Sequence, residues 1–284
     1  MNKIAIIVDS SSGWTQKEAS ELGLHFLPLI INVGDKKYQD GIDLDSDNLF
    51  KHFTLNSDNA KTAATPLGVA EDVIKKASEE NDKVLIFPIT KHLSSQCEML
   101  KTISQNYPNV HVVDSVYIAA LIPLMLFKFQ AMLKQGAAFE DGLEVLNQWD
   151  KDFSVTLLPK YNDYLVKGGR LSPAAATIAR LLKIVPLIKF EDGQLLKEGK
   201  GRIFLKSVFN VIDQKTENHE QYDYIILHSN PEELNQINDY LASKINKPHF
   251  TTNLPNVISI HTGPEAVVVI RAPKLTEEQK ALFK

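Results

Sequence analysis

Apolar residues in this chain come in short runs that alternate with longer stretches of mixed polarity. Ile4–Val8, Lys83–Pro88, Val110–Val113, Phe153–Leu158, Tyr224–Ser229 and Val257–Ile260 are rich in Val and Ile and stop at polar or turn residues, as buried strands do. Between them the spacing predicts helices over Thr15–Leu22, Thr65–Ser78, Leu93–Gln105, Ser115–Gln135, Ile203–Thr216, Pro231–Ile245 and Thr276–Phe283. Thr15 reads as an N-cap, and Thr65-Pro66 as an N-cap followed by proline at the first helical position. Strand–helix alternation predicts parallel α/β layers. Two stretches break the alternation. Leu29–Tyr38, around Gly34-Asp35, and Leu187–Lys200, around Glu191-Asp192-Gly193, read as hairpins. The second half is therefore expected to be mixed α/β with antiparallel pairs. The boundary is placed near residue 152, between an N-terminal α/β domain over 1–152 and a C-terminal mixed α/β domain over 153–284.

Composition fits a folded, globular chain: 284 residues, 44% hydrophobic and 23% charged. The formal net charge is −4 and no basic run is present, so nucleic acid is not an expected partner. The longest apolar stretch, Val116–Phe127, contains Pro123 and falls short of the ~20 residues that a membrane span needs. It reads as a buried helix, not an anchor. Ile4–Val8 is too short for a signal-peptide core. Cys97 is the only cysteine, which excludes an intramolecular disulfide and any Cys-x-x-Cys site and points to the cytoplasm.

Several kinds of chemistry are missing from the sequence. It has no phosphate-binding Gly-x-x-x-x-Gly-Lys-Ser/Thr loop, no Gly-x-Ser-x-Gly elbow and no His-Glu-x-x-His helix. Gly199-Lys200-Gly201-Arg202 contains a Gly-x-Gly, but it follows a hairpin strand and lacks the third glycine. The eight histidines have no ligand spacing, so neither metal nor cofactor is expected. What remains is a set of small polar clusters next to predicted strands and helices: Asp9-Ser10-Ser11-Ser12, Thr62-Ala63-Ala64-Thr65, Leu93-Ser94-Ser95 and Asp114-Ser115. Each can be a helix cap. Together they can also form an anion or carboxylate site, because ligands bind at the carboxyl edge of open α/β sheets and helix N-termini favour negative charge. Residue types alone leave both readings open.

Val8-Asp9-Ser10-Ser11, Lys61-Thr62-Ala63-Ala64, Leu93-Ser94-Ser95-Gln96, Val112-Val113-Asp114-Ser115, Tyr164–Ser172 and His261-Thr262-Gly263-Pro264 stand, in that order, like the motifs of the DegV family of bacterial fatty-acid-binding proteins, which the chain resembles along nearly its whole length. Val8-Asp9-Ser10-Ser11 resembles the opening V-D-S-S/T, Lys61-Thr62-Ala63-Ala64 the start of K-T-S-Q-P-S, and Leu93-Ser94-Ser95-Gln96 resembles L-S-G-T. Val112-Val113-Asp114-Ser115 matches V-x-D-S, and Tyr164–Ser172 resembles Y-L-x-K-G-G-R-I-S. Pro186-Leu187-Ile188, Gly193 and Arg202 follow the family's hairpin, and His261-Thr262-Gly263-Pro264 resembles H-x-G-P-G.

The resemblance implies a two-domain α/β fold, a parallel layer plus a mixed domain, with a long-chain, palmitate-like fatty acid in an apolar tunnel between them. It implies that Thr62 and Ser94 hold the carboxylate with His261 nearby. Ser10, Ser95, Gly169 and Arg170 are placed in the pocket or head-group vicinity. On residue type Gly168-Gly169 is also a helix C-cap. Arg202 is either a solvated surface charge or a docking residue for a fatty-acid kinase. The implied role is a carrier without catalysis of its own, for lipid transport or for presenting the fatty acid to a separate kinase subunit. An esterase using Ser94 with His261, and a carrier with no kinase partner, are the alternatives. The chain also departs from the pattern. Ala63-Ala64-Thr65-Pro66 stands for S-Q-P-S, Ser95 for the glycine after the L-S pair, and Gln96-Cys97 for T-Y. Glu265 stands where H-x-G-P-G ends in glycine, which adds a negative charge near the expected anion.

Overall fold

The computed structural model describes residues 3–44, 49–54, 60–169 and 184–283. The chain forms two compact units. The first is Met1–Trp149 together with Pro255–Val257; the second is Asp150–Leu254 with Ile258–Lys284.

In the first unit β1 (Ile4–Asp9), β2 (His25–Leu27), β6 (Lys83–Phe87) and β7 (Val110–Val112) form a parallel sheet in the order β2-β1-β6-β7. Ile4 pairs with Lys83 and Val8 with Phe87. The continuous apolar runs of β1 and β6 suit strands covered on both faces. α1 (Gln16–Glu21) opens on Thr15, the predicted N-cap, which forms a capping box with Glu18. A second sheet, antiparallel, has the order β4-β3-β5, from β3 (Ile30–Val33), β4 (Lys36–Gln39) and β5 (Lys61–Ala63). The β3–β4 pair is the predicted hairpin, with Gly34 at φ 59 in the turn. α2 (Leu49–His52) is a single turn. α3 (Leu67–Glu80) buries Ala70, Ile74 and Ala77 against a core that includes Ile7, Leu27, Val84 and Ile86. α4 (Gln96–Ser104), α5 (Leu121–Lys134) and α6 (Phe139–Asn147) are the other α-helices among the described residues of this unit.

The second unit is built on a six-stranded mixed sheet in the order β10-β9-β8-β13-β11-β12. Its strands are β8 (Ser154–Leu158), β9 (Val185–Glu191), β10 (Gln194–Gly201), β11 (Tyr222–His228), β12 (Phe250–Asn253) and β13 (Val267–Pro273). Only β11 and β12 run parallel among its pairs. The β9–β10 hairpin turns on Asp192 and Gly193, both left-handed (φ 48 and 76), the two-residue geometry that matches strand twist. α8 (Phe204–Lys215) and α9 (Leu234–Ile245) pack Val208, Val211, Ile212, Ile237 and Leu241 onto Tyr224, Ile226, Val267 and Val269. Among the described residues the remaining α-helices are α7 (Asp163–Lys167), α10 (Asn256–Thr262), which starts in the first unit and continues in the second, and α11 (Glu277–Lys280).

Four sequence expectations are corrected. Val257–Ile260, read as a strand, lies within helix α10, and the strand is Val267–Pro273 instead. A four-residue apolar run fits either period. The helix expected from Ser115 starts only at Leu121. Ala119 sits in the left-handed region (φ 52) and donates its N–H to Ser11 O at 3.0 Å, a loop conformation set by tertiary contact. Thr65 does not cap α3; Pro66 holds the cap position and the Thr65 hydroxyl turns elsewhere. The helix expected from Leu93 begins at Gln96.

Candidate functional site

The parallel sheet brings three of the four small polar clusters to one edge. Ser10–Ser12 follow β1 as a 3-10 turn, Leu93–Ser95 follow the exit from β6, and Asp114-Ser115 follow β7. Neighbouring parallel strands end on the same side, so this is a property of the topology and not of any single residue.

Asp9 organises the edge. Its carboxylate accepts from Ser11 N (3.1 Å), Ser11 Oγ (2.5 Å) and Ile89 N (2.8 Å), tying the end of β1 to the exit of β6. Asp40 is a second buried carboxylate in this unit, held by Asn256 Nδ2 at 2.9 Å. Burial pushes each carboxyl up to about 6, against the pull of its hydrogen bonds. The native state then binds protons more tightly than the unfolded chain. The stability these two groups contribute is present below pH ~4 and is lost as pH rises through about 6. Asp114 and Glu265 act the other way. Both are held below the usual range by their cation partners despite burial, and their stability is lost on acidification. Carboxyl-carbon NMR titration should accordingly find two aspartates with midpoints near pH 6, apart from the ordinary group near 4.

Thr62 does not lie on the parallel sheet. It sits on β5, opposite Ile31 of the antiparallel sheet. One buried side chain fastens its segment to the polar edge. Gln96, the first residue of α4 and fully buried, accepts from Thr65 N with Oε1 (2.9 Å) and donates to Thr65 Oγ1 with Nε2 (2.9 Å). Thr65 Oγ1 also donates to Pro28 O at 2.9 Å, anchoring the link between β2 and β3. Thr62 and Ser94 therefore stand three and two residues from the two ends of one clamp. Ser94 is half-buried, and its hydroxyl accepts from Gln96 N at 3.2 Å, which turns it toward the start of α4. Ser95 is exposed and makes no side-chain cap. Ser10 is buried; its hydroxyl accepts from Leu29 N at 3.1 Å and hydrogen-bonds Asp40. Asp114 is ion-paired with both Lys91 and Lys101, the latter at 2.6 Å. Cys97 is buried on α4, and burial pushes its thiol up.

His261 belongs to the second unit, in the last turn of α10, and is buried. The backbone of Gly168, which ends α7, lies against its ring: a Cβ at 168 would overlap His261 Nδ1. Gly169 follows in the left-handed conformation (φ 69), the helix C-terminal geometry its residue type predicts. Gly263 (φ 81) leaves room for the Tyr164 ring, which a Cβ would approach to 2.5 Å. Arg170 lies outside the described residues. Arg202 is exposed, directly after β10.

Residues 3–274 match the family described as "Uncharacterised protein, DegV family". A DegV domain-containing protein of Mycoplasmopsis pulmonis is 41% identical over 271 residues, covering 94% of each chain. The chain belongs to the DegV family. Solved structures share this DegV fold. A fatty acid binding DegV family protein of Streptococcus agalactiae superposes with TM-score 0.84 at 22% identity, covering 96% of this chain and 100% of that one. A protein of Eubacterium ventriosum described as a fatty acid (stearic acid)-binding protein gives 0.81 at 22%, covering 96% and 98%. Among the described residues of this DegV chain, no helix is long and apolar enough to cross a membrane.

Sequence reasoning missed Gln96, Asp40 and Asn256. Gln96 had a signal: it departs from the DegV pattern directly after Leu93-Ser94-Ser95. Asp40 and Asn256 are 216 positions apart and carry none.

Proposed function

We propose that this protein binds a long-chain fatty acid of palmitate or stearate length. Thr62 and Ser94 hold the carboxylate, His261 is a further head-group donor, and apolar side chains bury the tail. The observation that carries this reading is the Thr65–Gln96 clamp, which fixes the segments bearing both hydroxyls to one another. Membership of the DegV family supports it. A carboxylate taken out of water needs donors, and hydroxyls next to the free N–H groups at the start of α4 supply them. About 14 methylenes at about 0.8 kcal/mol each contribute on the order of 11 kcal/mol before immobilisation. Mass spectrometry of the denatured, freshly purified protein tests the reading. Near-stoichiometric fatty acid is expected, and lipid-free protein that also fails to take up added palmitate would refute it.

We further propose that the protein is a cytoplasmic carrier that presents the acyl carboxylate to a separate kinase, with no catalysis of its own. Arg202 is the docking residue in this scheme. It is exposed beside Ile203, which is 64% exposed, and rim charges act mainly on encounter and orientation. Arg202→Ala should keep its lipid and its melting temperature but be phosphorylated slowly by a cognate kinase at matched lipid loading. An unchanged rate rejects the docking role.

A further inference from the structure

Glu265 stands where the family pattern ends H-x-G-P-G in glycine, and its backbone shows why glycine suits that position: φ is +60. A non-glycine residue there carries strain of about 1–2 kcal/mol. In this chain the side chain is fully engaged. Its carboxylate is ion-paired with Lys160 Nζ, accepts from Tyr161 Oη at 2.8 Å and accepts from the Glu232 backbone N–H. Lys160 is shared with Glu233 at 3.1 Å and sits over the Phe204 ring, 5.6 Å from its centroid.

The same turn is fastened by its backbone. Glu265 N donates to Ser229 O (2.7 Å), Ser229 Oγ donates to Gly263 O (2.7 Å), and Ala266 N donates to Ser229 Oγ (2.8 Å). On its other side the turn meets α7, through Tyr164 against Gly263 and Gly168 against His261. The residues from Lys160 to Gly168 thus touch the His261–Glu265 segment at three successive places. Glu265 is the only one of the three made by an ion pair.

We infer that Glu265 is a positioning residue: through Lys160, Tyr161 and the Glu232 backbone it fixes the turn that carries His261, and so sets the orientation of that imidazole toward a bound carboxylate. The inference rests on the head-group role proposed for His261. It also explains how a carboxylate can stand near an anion site without repelling the ligand, because its charge is taken up by Lys160. Burial works against both charges, yet the pair holds Glu265 below and Lys160 above their usual ranges, so both stay ionised around neutral pH.

The test compares Glu265→Gln, Glu265→Gly, Lys160→Met and Lys160→Arg with the parent protein. Three quantities are read: the His261 imidazole NMR signal in lipid-free protein, the Kd for palmitate and the melting temperature. Glu265→Gln and Lys160→Met should shift and broaden the His261 signal and weaken palmitate binding about five- to tenfold. Lys160→Arg, which keeps the cation, should leave both near the parent values. Glu265→Gly relieves the backbone strain, so its melting temperature should stay near that of the parent while its His261 signal still changes. A His261 signal and a Kd unmoved by all four substitutions, with only the melting temperature lowered, would overturn the inference. If the parent binds no palmitate but the His261 signal responds as described, the positioning role stands and the fatty-acid reading fails.

Discussion

Replacing both Thr62 and Ser94 with alanine is expected to weaken fatty-acid binding by about a hundredfold. In the proposed site each hydroxyl would donate to a charged oxygen, and such a hydrogen bond contributes about 1.5–3 kcal/mol. The tail contacts are untouched, so binding should be reduced and not abolished. The fold should survive. Ser94 loses one acceptor for Gln96 N, a cap-like contribution of about 1 kcal/mol, and Thr62 sits on a three-residue strand whose ladder does not depend on its side chain. The measurement is Kd by displacement of a fluorescent fatty acid, with circular dichroism as the control for folding. Single variants should each lose about tenfold. Parent-like affinity in the double variant would move the carboxylate site off these two residues.

The second large effect is expected from Gln96→Leu. Leucine has a similar volume but no polar atoms. Thr65 N–H is left buried without its acceptor, and Thr65 Oγ1 loses the donor on its other side. An unmet buried backbone donor costs about 1–3 kcal/mol and the second lost bond about 1 kcal/mol. Destabilisation of about 2–4 kcal/mol should lower the melting midpoint of the first unit on the order of 5–10 °C. If the clamp also sets the spacing of Thr62 and Ser94, fatty-acid affinity at 20 °C should fall although neither hydroxyl has been altered. Gln96→Glu separates the two effects, since one carboxylate oxygen can still accept from Thr65 N. A Gln96→Leu protein that melts like the parent would show that Thr65 finds other partners.

The elements legible from the sequence are those whose pattern is local. β1 and β6 are continuous apolar runs, and β7 and β8 are short segments rich in Val and Leu. α1 announces itself by Thr15, and the β9–β10 hairpin by Asp192-Gly193. β2, β5 and β12 are only three or four residues long and escaped notice, because so short a segment has no period to read. β13 was missed for a different reason. Val267–Pro273 is apolar and strongly β-forming, but it follows another apolar segment that took its place in the reading. That segment, Val257–Ile260, is helical.

For the candidate site, the clusters at the ends of β1, β6 and β7 were visible as residue types, and the parallel order put them on one edge. Thr62 reached attention through the family resemblance, since nothing in Lys61-Thr62-Ala63 distinguishes it from an ordinary edge strand. Within the first unit the contacts Thr65 with Gln96 and Asp40 with Asn256, and within the second Lys160 with Glu265, join residues 31 to 216 positions apart. No single-sequence pattern encodes such pairs.

The sheet margins have a consequence for how copies of this protein meet at high concentration. β10 closes one side of the six-stranded sheet, and along it Lys197, Glu198 and Lys200 are exposed and the register slips between Lys197 and Gly199. β4 closes the small sheet with Lys36 and Lys37 exposed. A strand of another copy that zipped onto either margin would have to enclose lysines, and on β10 it would also have to follow an irregular ladder. Both borders are therefore guarded against fibrillar growth from copy to copy, and the protein can stand at high concentration without aggregating along them.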